Sequence, residues 1–199
     1  MWQPTPETHK ICRAGVRGDG KCLFWSFLFA IKPRLAEEYG DHLVSQESFK
    51  EQLNEGLRVD VANYIREHRE MHDGILATFT EYETIEDYCS AIENVIEWAS
   101  AFELNALSNL YNIVIYVISP THINKENNVV PLQCNPDNGP ATECIYIYFN
   151  GVDHYDGLCI VNKEDENDIK TMFSSNDQKV KDFFETDIQE KHKRNENCG

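Results

Sequence analysis

From Cys22 to Ile31 a continuous apolar run is interrupted by Ser26 alone. A helix of that composition has no polar face and belongs inside a core. Pro33 helps to end it. Phe49, Leu53, Leu57, Val61 and Ile65 then recur every fourth residue. That spacing lays one apolar stripe along a second helix, with Ser45 as its expected start and Gly74 as a break in the pattern. Thr84-x-x-Asp87 and Ser100-x-x-Glu103 each precede apolar residues at helical spacing. Both have the form of a capping box and predict two further helices.

Strand signals are interleaved with these helices. Residues 11–17 read as a short edge strand, and Ile113–Ile118 and Ile145–Phe149 as buried strands. Asn150-Gly151 signals a tight turn. His154–Val161 follows as a strand whose side chains alternate between faces. Residues 119–142 carry Pro120, Pro131, Pro136 and Pro140 and read as a loop with a short strand at Val129–Leu132. This segment is either a flap near a site or a surface excursion. Ile169, Met172 and Phe173, then Val180, Phe183, Phe184 and Ile188, predict two short helices separated by Ser174-Ser175-Asn176 as a cap, with a frayed end from Lys191. The alternation without repeats predicts an α/β (α+β) fold, a small central β-sheet packed between helices. Residues 1–162 form the main domain and 163–199 a helical extension expected to pack on it.

Composition narrows the class. With 199 residues, 41% of them hydrophobic and 26% charged, the chain suits one globular domain. Its longest apolar runs fall far short of the roughly 20 residues that span a bilayer, so no membrane insertion is expected. The N-terminus lacks the basic and apolar blocks of a secretory signal. Seven cysteines without a Cys-x-x-Cys pair point to a reducing compartment, and a cytoplasmic location is expected. The net charge of −16 argues against a nucleic-acid partner, since phosphate backbones are bound by clustered Lys and Arg. The acidic surface serves either solubility or the docking of a basic or mixed protein face.

Chemistry concentrates at Gly18-Asp19-Gly20-Lys21-Cys22-Leu23-Phe24, where a glycine-rich turn hands over to the apolar helix. First-turn amides lack intrahelical partners and favour an anion. Thiols so placed titrate at about 3.5–7.5, against about 8.5 for a free cysteine, so Cys22 is expected to reach its thiolate. Taken alone it would serve equally well as core filler. At the far end, His154 and Asp156 share one face of a strand, roughly 7 Å apart along the backbone. Asp156 is expected to hold Nδ1–H of His154, leaving Nε2 to take a thiol proton. The scattered Cys and His lack zinc-site spacing, and no metal is expected.

The stretch Gly18–Phe24, together with His154-Tyr155-Asp156, resembles the ovarian tumour (OTU) family of papain-like cysteine proteases, which are deubiquitinases. Trp98-Ala99-Ser100-Ala101-Phe102-Glu103-Leu104-Asn105-Ala106-Leu107, followed by Ile113–Val117, resembles the family's Trp-Gly-Gly-x-x-Glu-Leu-x-Ala-Leu helix and the strand after it. The resemblance runs from about residue 11 to 161 in the family's order. Lys21 and Trp25 stand where the family commonly has Asn and Arg, and Ala99 and Ser100 replace its two glycines.

The resemblance implies a papain-like OTU fold with residues 1–162 as the catalytic domain. Cys22 is then the nucleophile and His154 the general base. Asp156 or Asp19 orients the imidazole; Asp156 is expected to do so, with Asp19 bracing an oxyanion loop around Gly20 and Lys21. The Lys21 amine either helps to hold a thiolate or faces water. No cofactor is implied. The partners implied are ubiquitin and polyubiquitin chains, bound by a monomer in the cytosol, or in a host's cytosol if the chain is a microbial effector. Two alternatives accompany this expectation: a catalytically weak ubiquitin-binding module, and a cysteine protease for a ubiquitin-like modifier.

Overall fold

The computed structural model describes residues 2–196, with side chains described to residue 192. Seven strands form one mixed sheet: β1 (His9–Ala14), β2 (Val114–Ile118), β3 (Leu132–Cys134), β4 (Glu143–Phe149), β5 (Tyr155–Asn162), β6 (Ile169–Lys170) and β7 (Met172–Ser174). The order across the sheet is β1-β5-β4-β2-β3, with β6 pairing β5 and β7 pairing β4. β2 and β4 run parallel and the other pairings are antiparallel. The helices are α1 (Cys22–Ala30), α2 (Lys32–Tyr39), α3 (Asp41–Val44), α4 (Glu47–Glu67), α5 (His72–Thr78), α6 (Ile85–Glu93), α7 (Ala101–Tyr111) and α8 (Gln178–Glu196).

The sheet lies between helices, as the interleaved pattern predicts. On one face Leu23, Phe24 and Phe27 of α1 join Leu57, Val61 and Ile65 of α4, Leu104 and Leu107 of α7, and Ile115, Ile145, Ile147 and Tyr155 from the strands. On the other face Ile11, Tyr116, Tyr146, Leu158 and Ile160 meet Val180, Phe183 and Phe184 of α8. There the Tyr146 and Phe184 rings stack with centroids 3.7 Å apart. Gly157 sets how closely α1 approaches β5. A Cβ at that position would sit 3.0 Å from Phe29 Cε1 and 3.1 Å from Cγ, closer than packed side chains approach.

Several elements differ from expectation for identifiable reasons. Ser45 does not begin the striped helix: it ends α3, its Oγ donating to the Asp41 carbonyl at 2.7 Å, and α4 starts after Gln46. Gly74 lies inside α5 rather than breaking a helix, and it packs beside the Phe102 ring. Ile169, Met172 and Phe173 are in strands, not a helix. The ends of β5 and β4 offer unpaired ladder positions that β6 and β7 fill, and that tertiary pairing overrides a short ambiguous apolar pattern. Asp177, rather than the residues before it, caps α8, with Oδ1 accepting from the Lys179 and Val180 amides. The short strand expected at 129–132 is shifted to Leu132–Cys134, where it pairs with β2. Thr84 and Ser100 do cap their helices, Ser100 in a full capping box with Glu103.

Candidate active site

Cys22 is the first residue of α1, 9% exposed, where the glycine loop meets the helix. Within that loop Asp19 folds back on its own segment. Its Oδ1 accepts from the Lys21 amide at 3.0 Å and its Oδ2 from Trp25 Nε1 at 3.3 Å. Gly20 takes φ +80°, a conformation costly for any residue with a Cβ, and a side chain there would run into Val95 Cγ1 at 3.2 Å. Val95 itself adopts φ 58°, which a β-branched residue rarely does, so the 94–100 loop is held in a strained shape against the Cys22 loop.

Two arginines and a lysine tie this loop down. Arg58 of α4 is 1% exposed, and its guanidinium donates to the carbonyls of Ile92 (2.6 Å), Glu97 (3.3 Å) and Gly20 (3.5 Å) while lying 4.9 Å from the Phe24 ring centroid. Burial lowers its pKa, opposed by the negative Glu103 and Asp19 nearby. A buried cation needs such partners, because an unpaired one would be strongly destabilising. Arg17 and the Lys21 amine both reach Glu51 of α4, at 2.6 and 3.4 Å. The Lys21 amine is thus paired with a carboxylate, where it had been expected either to face water or to help hold a thiolate.

His154 lies in the loop ahead of β5, not within the strand as expected. The connection from Phe149 to Tyr155 is longer than a two-residue turn, and Asn150 organises it. The Asn150 Oδ1 accepts from the amides of Val152 (2.9 Å), Asp153 (2.9 Å) and His154 (3.0 Å). The imidazole is 27% exposed and its Nε2 meets Asp156 Oδ1 at 3.1 Å. A carboxylate only accepts, so Nε2 carries the proton and Nδ1 is left for a thiol. This reverses the expected ring orientation. Asp156 is 5% exposed and also accepts from the Val16 amide at 3.0 Å. No hydrogen bond or ion pair joins Asp19 to His154 among the described residues; Asp19 braces the loop and Asp156 meets the ring.

The two halves meet where α1 packs on β5. The backbone amide of Tyr155, next in the chain to His154, favours the Cys22 thiolate, as do the amides of Leu23 and Cys22 itself. Burial nevertheless dominates and raises the Cys22 pKa, with the Asp19 charge adding to it. The lowered thiol pKa expected from the helix start is therefore not found: the amides are outweighed by desolvation, and the Cys22 pKa lies above its ordinary value rather than below it. Among the described residues no group of three or more His, Cys, Asp and Glu side chains is placed to hold a metal ion, and no helix is long and apolar enough to cross a membrane.

Asn150, Arg58 and the Val16 amide were not foreseen. Asn-Gly signals a hairpin but not the capture of the His154 amide, and an arginine within a helical stripe looks like a solvated residue until the packing is known.

Comparison with known proteins places these features in a family. A family model described as OTU-like cysteine protease matches residues 17–155, a span holding both Cys22 and His154. OTU domain-containing protein 4 from Homo sapiens is 30% identical over 143 residues, 71% of this chain and 10% of that protein. Ubiquitin thioesterase OTU1 from Dictyostelium discoideum is 30% identical over 95 residues, 47% of this chain and 27% of that protein. The chain thus spans less than a third of the length of either relative. Among solved structures, an ovarian tumour domain in complex with ubiquitin shares the fold with a TM-score of 0.67 at 22% identity, covering 96% of this chain and 90% of that one. The family match reaches from the loop before Cys22 to the first residue of β5 and takes in well over half of the sequence. By that extent this protein belongs to the OTU family of cysteine proteases.

Proposed function

We propose that this protein is a deubiquitinase that hydrolyses the isopeptide bond between the ubiquitin C-terminus and a lysine amine. The observation that carries the reading is the His154 imidazole held on Asp156 while the neighbouring Tyr155 amide faces the sulfur at the start of α1. In this mechanism His154 Nδ1 takes the Cys22 proton as Sγ attacks the carbonyl carbon. The oxyanion meets the Cys22 amide and the Gly20 side of the loop, since the Lys21 amide is committed to Asp19. The imidazolium then gives its proton to the departing lysine nitrogen, and the C–N bond breaks to leave a thioester on Cys22. Water, deprotonated by His154, attacks that thioester, and the thiolate leaves and recovers the proton. Asp156 stabilises the imidazolium throughout.

A protein substrate fits the surroundings. Ile96 and Trp98 on the loop beside Gly20, and Val152 on the loop that carries His154, are 72%, 53% and 80% exposed. Exposed apolar side chains beside a site are suited to docking a folded partner. The solved relative named above was captured with ubiquitin, which supports ubiquitin as that partner. The test is hydrolysis of diubiquitin and of a fluorogenic ubiquitin amide, in parallel with the same amides of ubiquitin-like modifiers. Cleavage of ubiquitin substrates that vanishes in Cys22→Ala and His154→Ala is expected. Tight ubiquitin binding without cleavage would make the chain a binding module, and preference for another modifier would overturn the substrate.

A further inference from the structure

We propose that Arg13 is a positioning residue for catalysis, fixing the Asp156 carboxylate that holds His154; the proposal rests on the deubiquitinase reading above. Arg13 is in β1, opposite Leu158 of β5. Its Nε lies 3.2 Å from Asp156 Oδ2, and its guanidinium sits over the Tyr148 ring of β4, 4.8 Å from the centroid. Tyr148 is the register partner of Asp156. Three adjacent strands therefore supply a ring, a carboxylate and a guanidinium that clasp one another.

The division of labour on Asp156 gives Arg13 its role. Oδ1 is shared between the Val16 amide at 3.0 Å and His154 Nε2 at 3.1 Å, and Oδ2 belongs to Arg13. The ion pair at Oδ2 and the Val16 amide at Oδ1 together oppose rotation of the carboxylate and keep Oδ1 aimed at the imidazole. The Asp156 side chain is only 7% exposed, and a polar group so buried needs partners for both of its oxygens. Arg13 is itself 54% exposed, so its contribution to folding is small, as for other exposed ion pairs. Its removal is felt at Asp156 and through it at His154. Neither loop motif nor strand pattern marks Arg13; the β1–β5 pairing reveals it.

The experiment is a double-mutant cycle on the full chain with a fluorogenic ubiquitin amide, with melting temperatures measured for each variant. Arg13→Ala is expected to lower kcat by roughly three- to fivefold with KM little changed, the upper part of what a half-exposed ion pair carries. Arg13→Lys restores most of that loss. In an Asp156→Ala background Arg13→Ala changes kcat by less than about twofold, since the group it positions is gone. An undiminished Arg13→Ala effect in that background, or a change confined to KM, overturns the proposal. Wild-type-like activity of Asp156→Ala would instead overturn the underlying mechanism. Ring nitrogen shifts of His154 give a readout independent of turnover. The parent should show the Nε2–H tautomer and Arg13→Ala a mixture, whereas an unchanged tautomer argues against positioning.

Discussion

Replacing Gly157 by alanine would drive a methyl group into the ring of Phe29, on the helix that also carries Cys22. The new Cβ would lie 3.0 and 3.1 Å from Phe29 Cε1 and Cγ, and ordinary van der Waals contact begins at 3.4 Å. Either the ring swings out or α1 lifts from β5, and overpacking of this kind costs about 1–3 kcal/mol. For a chain of this length that corresponds to a fall in melting temperature of about 2–12 °C. Cys22 is seven residues from Phe29, about two helical turns, so a lift of α1 carries the sulfur away from His154. A misplacement of about 1 Å costs on the order of a hundredfold in rate. We expect Gly157→Ala to melt several degrees early and to lose at least about tenfold in kcat/KM on a fluorogenic ubiquitin amide. In a Phe29→Ala background, where the methyl has room, the same change should cost less than about 0.5 kcal/mol. Parent-like melting of Gly157→Ala, or an equal cost in both backgrounds, would refute the claim that this contact sets the α1–β5 spacing.

Two further predictions address the site. Asp19→Asn removes a negative charge that raises the Cys22 pKa and keeps the oxygen that receives the Lys21 amide. The pKa of the thiol should therefore fall, and the midpoint of iodoacetamide alkylation against pH should move to lower pH; an unchanged or higher midpoint contradicts the electrostatics. Asn150→Ala deletes the acceptor for the Val152, Asp153 and His154 amides. It should cost about 0.5–2 kcal/mol in chemical denaturation, as loss of a comparable side-chain cap does, and lower kcat more than KM rises. Asn150→Asp, which keeps an accepting oxygen, should retain most activity, and equal losses in the two variants would argue against the cap.

Much of this architecture was legible because its signals are local. The all-apolar run that opens at Cys22 has one place to go, and Thr84 and Ser100 cap helices through contacts within three residues. His154 and Asp156 are two apart, so their meeting needs little of the fold. What the pattern could not convey depends on packing between distant elements. The thiol pKa turns on how deeply α1 is buried. Which ring nitrogen meets Asp156 depends on a side-chain rotamer that spacing along a strand does not fix. Arg58 sits on the helix bearing the apolar stripe and becomes buried only because the carbonyls of Gly20, Ile92 and Glu97 converge on it. Residues 169–173 form strands because β4 and β5 leave edges to pair, which no local periodicity records.

The central claim is that Cys22, among seven cysteines, is the nucleophile that receives the ubiquitin C-terminus. Incubation with ubiquitin carrying a C-terminal electrophile, followed by mass spectrometry of the intact adduct and of its peptides, tests it directly. One ubiquitin should be added per chain, on Cys22, with no capture in Cys22→Ala and slowed capture in His154→Ala. An adduct on another cysteine, such as Cys12 or Cys134, half-buried among the described residues, or capture that survives Cys22→Ala, would contradict the account.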